Sequence, residues 1–110
     1  MIKDKYLKLM SKLKFFKKDE TFHIEDKETW NLDVSLAKLI LPRLIKFNQL
    51  RNGCPMSLTE TEWSDCLNQM IEAFEWYSGE NRWNENEFEM MQKHQKGIDL
   101  FAKYYNCLWW

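Results

Sequence analysis

The chain has 110 residues, a formal net charge of −1, and only three Gly and two Pro. This length indicates one domain, and the scarcity of turn residues favours helices over a β-rich fold. The near-zero net charge gives no overall field that would attract nucleic acid or a membrane surface.

The cysteines and the apolar segments bear on the compartment. The three Cys residues form no paired framework and no Cys-x-x-Cys motif, which indicates a reducing environment. No apolar stretch reaches bilayer length, and no secretory signal is visible. We therefore expect a soluble protein of the cytoplasm.

Residues 1–18 are predicted to form a basic amphipathic helix with a local side-chain charge of +6. Most of its Lys residues, including Lys5, Lys8 and Lys12, fall opposite an apolar face. Such a helix can bind an anionic membrane surface, nucleic acid or a partner groove. It can equally dock its apolar face on the body of the protein and leave the Lys residues solvated.

An acidic stretch follows and reverses the charge. Residues 19–29 contain five acidic side chains and one Lys. We expect an extended acidic linker here, which leads into a helical core domain at residues 30–110. The overall expectation is an all-α fold, a small bundle of about four helices.

The most apolar segment, residues 30–53, predicts the central helix. Asp33 can cap its start, and Gly53 can end it in the left-handed conformation. Pro42 should kink the helix because it lacks a backbone donor and clashes with the carbonyl of Lys38. The inward face is predicted from three- and four-residue spacing to comprise Leu36, Leu39, Ile40, Leu44, Phe47 and Leu50.

The next helix has the clearest start signal. Thr59 and Glu62 are placed for a capping box, and Leu58 and Trp63 occupy the two positions of a hydrophobic staple. Gly79 should close this helix. Its carboxylates, Glu62, Glu72 and Glu75, can form a solvated acidic face. They can serve general acid–base chemistry only if they meet residues of another helix in a pocket.

The last helix is predicted to run from Asn84 or Asn86 almost to the C-terminus. Its expected inward stripe is Phe88, Met91, Gln95, Ile98, Ala102, Tyr105 and Leu108 or Trp109. Gly97 indicates a closely approaching helix, because Gly costs a helix about 1 kcal/mol relative to Ala. Trp109 is assigned to the core. Trp110 is expected to pack near Pro42 or against a second subunit.

No catalytic or metal-binding motif is present. Neither His23 nor His94 has a second ligand at metal spacing, so we expect no metal and no cofactor. For a nucleotide-like ligand, the expected anchor is a stacking aromatic, Trp83 or Trp30, beside Arg82 or Arg43. At the predicted kink, Arg43 can meet a phosphate or carboxylate, or simply pair with a surface acid.

Several motifs resemble a pattern in a family of small uncharacterised tailed-bacteriophage proteins. The resemblance covers about residues 28–109 and leaves out the basic first helix. It implies a phage or prophage origin and a host cytoplasm, where small phage proteins often act on host machinery or defence systems. The motifs are Trp30-Asn31-Leu32-Asp33, Leu36-Ala37-Lys38, Ile40-Leu41-Pro42-Arg43-Leu44, Gly53-x-Pro55, Leu58-Thr59-Glu60-x-Glu62-Trp63, Met70-Ile71-x-Ala73-Phe74-Glu75, Gly97-x-x-Leu100-Phe101-x-Lys103-Tyr104-Tyr105 and Leu108-Trp109.

These observations favour a non-enzymatic binding protein that inhibits or sequesters a host component. A protein target is favoured over a nucleotide-like ligand, and a homo-oligomer would suit the surplus of aromatic residues. One alternative is a small all-α enzyme that uses the carboxylates of the third helix. Another is a peripheral membrane or nucleic-acid binder that acts through the basic N-terminal helix.

Overall fold

The computed structural model describes residues 23–79 and 86–110. Within these ranges the chain forms helices and no strand, so the predicted all-α fold, a small bundle of about four helices, is confirmed. The elements are α1 (Lys27–Trp30), α2 (Leu32–Leu50), α3 (Glu60–Ser78), α4 (Glu87–Lys103) and a 3₁₀ turn (Tyr105–Cys107). The predicted basic helix at 1–18, with Lys5, Lys8 and Lys12, lies outside the described residues, as do Arg82 and Trp83.

The chain divides into two units, Met1–Asn31 and Leu32–Trp110. Of the first unit, the structure describes residues 23–31, which contain the single helical turn α1. This turn lies partly in the stretch that was expected to be extended. Local hydrogen bonds explain the difference: the Thr29 hydroxyl donates to the Asp26 carbonyl at 2.7 Å, and the Glu25 N–H donates to the Glu28 carboxylate at 2.7 Å.

In the second unit, α2 begins at Leu32 and passes through Pro42 as one helix. The kink at Pro42 stays a prediction. The helix ends at Leu50, three residues before Gly53, and the Arg51 N–H still donates to the Phe47 carbonyl at 2.9 Å. The backbone of Gly53 does not adopt the left-handed conformation, so Gly53 is not the terminator that was expected.

The predicted inward face of α2 is correct in part. Ala37 and Leu44 are buried, and Ile40, Leu41 and Phe47 pack against the core around them. The other predicted members, Leu36, Leu39 and Leu50, are about half exposed, and so is Leu32. This helix carries apolar residues on most of its circumference, so spacing alone did not identify which face meets the neighbouring helix. The contact face is the one with the small residue Ala37, which lets that helix come close.

The start and the end of α3 are confirmed as predicted. The Glu62 N–H donates to the Thr59 hydroxyl at 3.1 Å, and the Thr59 N–H donates to the Glu62 carboxylate at 2.9 Å. Gly79 follows the last helical residue, and its N–H donates to the Trp76 carbonyl at 3.1 Å. The hydrophobic staple is consistent with the packing, since Leu58 lies against the core that contains Trp63.

The centre of the second unit is α3 rather than α2. It packs against both α2 and α4, and it supplies most of the fully buried side chains. These buried residues are Trp63, Leu67, Met70, Ala73 and Phe74. Because α3 buries apolar side chains against both α2 and α4, the other two helices are held in place by packing on it.

The orientation of α4 differs from the prediction by one residue. Its most buried residues are His94 and Gly97, and Ile98, Phe101 and Tyr104 pack against the core. The expected inward residues Phe88, Met91 and Tyr105 are exposed, and Gln95 and Ala102 are exposed as well. A shift of one residue rotates a helix by about 100°. The helix also ends at Lys103, well before the C-terminus.

The predicted close approach at Gly97 is confirmed. A Cβ built on Gly97 would lie 2.5 Å from the Cβ of Ala73 and would also overlap the backbone carbonyl oxygen of Gln69. Trp63 meets Tyr104, and Trp76 meets His94, so α4 runs antiparallel to α3. The crossing of the two helices therefore falls at the Ala73–Gly97 pair.

Candidate functional site

The turn between α2 and α3 is held by Arg51. Its guanidinium donates to the Asn48 side chain at 2.9 Å, to the Ser64 hydroxyl at 2.6 Å and to the Glu60 carboxylate. The Arg51 side chain is only 11% exposed, although Glu60 is 62% exposed. This network fixes the end of α2 to the first turns of α3. Sequence reasoning missed it, although an Arg just beyond one helix and an acid in the first turn of the next are a usable signal.

Beyond this turn lies an apolar groove with a volume of about 350 Å³. The end of α2, the turn, the start of α3 and the C-terminal segment all contribute to it. Its lining residues are Phe47, Asn52, Gly53, Cys54, Pro55, Met56, Trp63, Cys107, Trp109 and Trp110. None of these residues is charged. We refer to this set as the apolar groove.

The C-terminal residues reach the groove because the 3₁₀ turn interrupts the helical path. After α4 ends, Cys107 and Leu108 pack against the core, and the chain continues without regular structure to Trp110. Leu108 therefore takes the core position that was assigned to Trp109. That assignment is wrong, because Trp109 is 76% exposed. The helix that would have pointed Trp109 inward does not extend so far.

The groove combines one buried aromatic ring with several exposed side chains. Trp63 is 1% exposed, whereas Met56 is fully exposed and Trp110 is 65% exposed. Trp110 thus lies with Phe47 and the residues after α2 rather than near Pro42, and its packing against a second subunit stays a prediction. Trp and Met are enriched at the centres of protein interfaces, and Met adapts its shape to a partner. The arrangement suits an apolar side chain better than a phosphate.

Two cysteines line the groove. Cys54 is exposed, and its thiol donates to the Leu58 carbonyl at 3.4 Å. Cys107 is partly exposed. The third cysteine, Cys66, packs against the core, where burial, aided by the charge of Asp65, raises the pKa of its thiol. Cys66 therefore has the character of a small, partly buried hydrophobe.

A second concave region lies between α3 and α4. It is an open, shallow cleft of about 390 Å³ lined by Glu72, Glu75, Trp76, Lys93 and His94. We refer to it as the polar cleft. The His94 ring stacks on the Trp76 indole, with centroids 5.2 Å apart and planes 21° apart. Burial, with a further contribution from the Lys93 charge and against that of Glu72, lowers the pKa of His94.

The polar cleft bears on the enzyme alternative. Glu72 and Glu75 do meet residues of another helix in a concave site, as that alternative requires. Glu62 lies in the first turn of α3, away from this cleft, and forms the capping box, where hydrogen bonding with Thr59 lowers its pKa. The cleft is open to water, which offers little of the desolvation that active sites use to shift a pKa. An enzymatic role stays a prediction.

The other residues predicted to bind a ligand or partner lie at separate places in the described ranges. Trp30 lies exposed on α1 in the first unit. Arg43 is exposed on α2, and its guanidinium donates to the Leu39 carbonyl at 2.9 Å, so it contacts its own helix. Of Arg43 and Trp110, the two candidates described in the second unit, Trp110 lines the apolar groove.

Two geometric findings concern the ranges 23–79 and 86–110. No three His, Cys, Asp or Glu side chains in them stand together in a way that could hold a metal ion. No helix in them is both long enough and apolar enough to cross a bilayer.

Together the fold and the groove define a class, a small all-α protein with an aromatic and methionine-containing groove. No protein-family model matches the chain, and no curated protein and no solved structure matches it.

Proposed function

We propose that this chain is a small binding protein that sequesters or inhibits a host protein by taking one of its apolar side chains into the apolar groove. The observation that supports this function is the group of exposed Met56, Trp109 and Trp110 side chains around the buried Trp63. The proposed phage origin rests on the sequence resemblance described above.

The energetics of the groove favour a protein target. Burying an exposed large apolar side chain stabilises a complex by about 1.5–3 kcal/mol. Trp109 and Trp110 are 76% and 65% exposed, so most of the apolar surface of each remains available for burial by a partner. Trp residues are also over-represented among the few interface residues that dominate binding energy. A nucleotide-like ligand fits less well, because none of the described lining residues carries a charge to meet its phosphates.

The test is capture of a protein target from a bacterial host lysate, followed by measurement of its affinity for purified variants. Trp110→Ala and Met56→Ser should each weaken binding at least tenfold, since each removes apolar area from the groove. Phe88→Ala is the matched control: Phe88 is 72% exposed on α4 and does not line the groove. It should bind with wild-type affinity.

Two outcomes would contradict the proposal. One is a captured protein that binds the wild type and both groove variants equally well. The other is capture of nothing above background, together with self-association of the wild type in sedimentation experiments that Trp110→Ala abolishes. In the second case the groove would serve a homo-oligomer, the expected alternative occupant.

A further inference from the structure

The polar cleft contains a buried polar side chain, His94, that has no hydrogen-bond partner among residues 23–79 and 86–110. His94 is only 7% exposed, and no hydrogen bond among the described residues involves its ring. Its ring nitrogens keep some solvent-accessible surface, because no fully buried side-chain nitrogen or oxygen of the described residues lacks a partner, and the residue lines the cleft. A neutral imidazole always has one nitrogen that accepts a hydrogen bond and one that donates. His94 thus presents unused hydrogen-bonding capacity to the cleft.

The charged groups of the cleft are also unpaired with one another. Glu72 and Glu75 lie about one helical turn apart on α3, so they share a face. The ion pairs among the described residues join Lys27 to Glu25 and Arg51 to Glu60. Two carboxylates and one ammonium group, that of Lys93, therefore face the cleft, and with His94 neutral they leave one negative charge in excess.

We infer that the polar cleft binds a small organic cation that carries several N–H donors, such as a guanidinium or primary ammonium group. The carboxylates of Glu72 and Glu75 would accept charge-assisted hydrogen bonds from it, and the free acceptor nitrogen of His94 would accept another. The stacked Trp76 and His94 rings give the cation an aromatic wall.

Three observations define the class of ligand. An anion is disfavoured by two carboxylates against one ammonium group. A bare metal ion is disfavoured because no three suitable side chains in the described residues stand close enough to hold one. A cation without N–H donors would make no hydrogen bond to the His94 nitrogen. Burial lowers the pKa of His94, which favours the neutral ring and its acceptor nitrogen.

The experiment is a titration of the full chain with methylguanidinium chloride, followed through the NMR signals of the His94 ring, which a His94→Phe variant assigns. We expect a saturable shift with a midpoint in the millimolar range. Sodium chloride at matched ionic strength should give no saturable shift. Tetramethylammonium, which has no N–H donor, should bind at least fivefold more weakly.

The cleft variants should change the affinity in opposite directions, and the comparison of Lys93→Met with Lys96→Met separates a site in the cleft from a general charge effect. Glu72→Gln and Glu75→Gln should each weaken methylguanidinium binding about fivefold, because each removes one acceptor charge at close range. Lys93→Met should tighten binding severalfold, since it removes the like charge that the described lining of the cleft contains. Lys96→Met is the matched control on the exposed surface of α4, outside the cleft lining, and should leave the midpoint unchanged.

Three results would overturn the inference: equal shifts with methylguanidinium and tetramethylammonium, an unchanged midpoint in both Gln variants, or equal effects of Lys93→Met and Lys96→Met. Because Glu72, Glu75, Lys93 and Lys96 are exposed, their variants should fold, and far-UV circular dichroism verifies this for them and for His94→Phe. The inference does not depend on the apolar groove.

Discussion

Gly97 offers the sharpest test of the packing of α3 against α4. In Gly97→Ala the new Cβ would lie 2.5 Å from the Ala73 Cβ and would overlap the Gln69 carbonyl oxygen, whereas ordinary contacts are 3.4–4 Å. A methyl group and a backbone carbonyl cannot rotate out of the way. The helices would therefore have to separate by about 1 Å at their crossing, and a gap of that size removes up to about half of the local dispersion energy.

Two opposing contributions set the magnitude of this effect. Overpacking against rigid atoms costs about 3 kcal/mol at the upper end of the usual range. The better helix propensity of Ala offsets about 1 kcal/mol of that cost. We expect Gly97→Ala to lower the free energy of unfolding by about 2 kcal/mol, which corresponds to a Tm lower by roughly 8 °C for a domain of this size.

The assay is urea unfolding followed by far-UV circular dichroism, with three references. Gly79→Ala would place a Cβ at ordinary distances of 3.4 and 3.6 Å and should change stability little. Gln92→Ala compared with Gln92→Gly measures the Ala–Gly difference on the exposed side of α4. Ala73→Gly combined with Gly97→Ala should recover part of the loss, because the Gln69 carbonyl remains. If Gly97→Ala equals or exceeds the wild type in stability, the proposed crossing is wrong.

Three further predictions concern single side chains. Arg51→Ala should lower the free energy of unfolding by about 1–3 kcal/mol, since it leaves its partly buried partners on α2 and α3 without a hydrogen bond. Lys46→Ala, on the exposed surface of α2, should change the free energy of unfolding little in the same denaturation assay. The stability advantage of wild type over Glu62→Gln should be present at neutral pH and vanish as the pH falls through the lowered pKa of that carboxyl group, as acid titration of both proteins would show. Iodoacetamide should modify exposed Cys54 much faster than Cys66, because burial raises the pKa of the Cys66 thiol. Equal modification rates, measured by mass spectrometry, would contradict the packing of Cys66 against the core.

The features that sequence predicted correctly are those decided by a few neighbouring residues. The capping box depends on Thr59 and Glu62 alone, so its pattern is sufficient to place the start of α3. Gly97 was informative for a related reason: an unfavourable residue inside a helix needs a packing explanation, and close approach is the usual one. Neither inference needed knowledge of the other helices.

The features that sequence missed depend on which surfaces meet. On α2, the stripe that contains Leu36 and Leu39 and the stripe that contains Ala37 and Leu44 are both apolar. Within residues 23–79 and 86–110, the second stripe is the one that packs against the core. On α4 the position of Gly97 already indicated the contact face, yet the spacing of the largest side chains predicted that the neighbouring stripe faces inward. Small residues marked the contacts because they let backbones approach, whereas hydrophobicity alone favoured the larger residues.

Of the residues that line the apolar groove, the sequence identified Trp110 as a candidate contact residue, but it did not predict the groove itself. Trp110 stood out because two successive Trp residues cannot both enter the core from one helix. The groove itself results from the 3₁₀ turn at Tyr105–Cys107 and the irregular segment after α2, and helical periodicity contains no information on either. The Arg51 network was missed although its Arg and acid were a usable signal, because its Ser64 partner lies 13 residues away across a turn.

The two candidate sites lie on opposite ends of α3, and this separation makes them independently testable. Trp63 lines the groove and Trp76 lines the cleft. Their 13-residue separation corresponds to about 20 Å along the helix at 1.5 Å per residue. A protein side chain in the groove should therefore leave methylguanidinium binding in the cleft unchanged, and Trp110→Ala should bind the cation with the wild-type midpoint. A shift of that midpoint in Trp110→Ala, with the fold intact by circular dichroism, would show that the sites are coupled through α3 and that this reasoning is wrong.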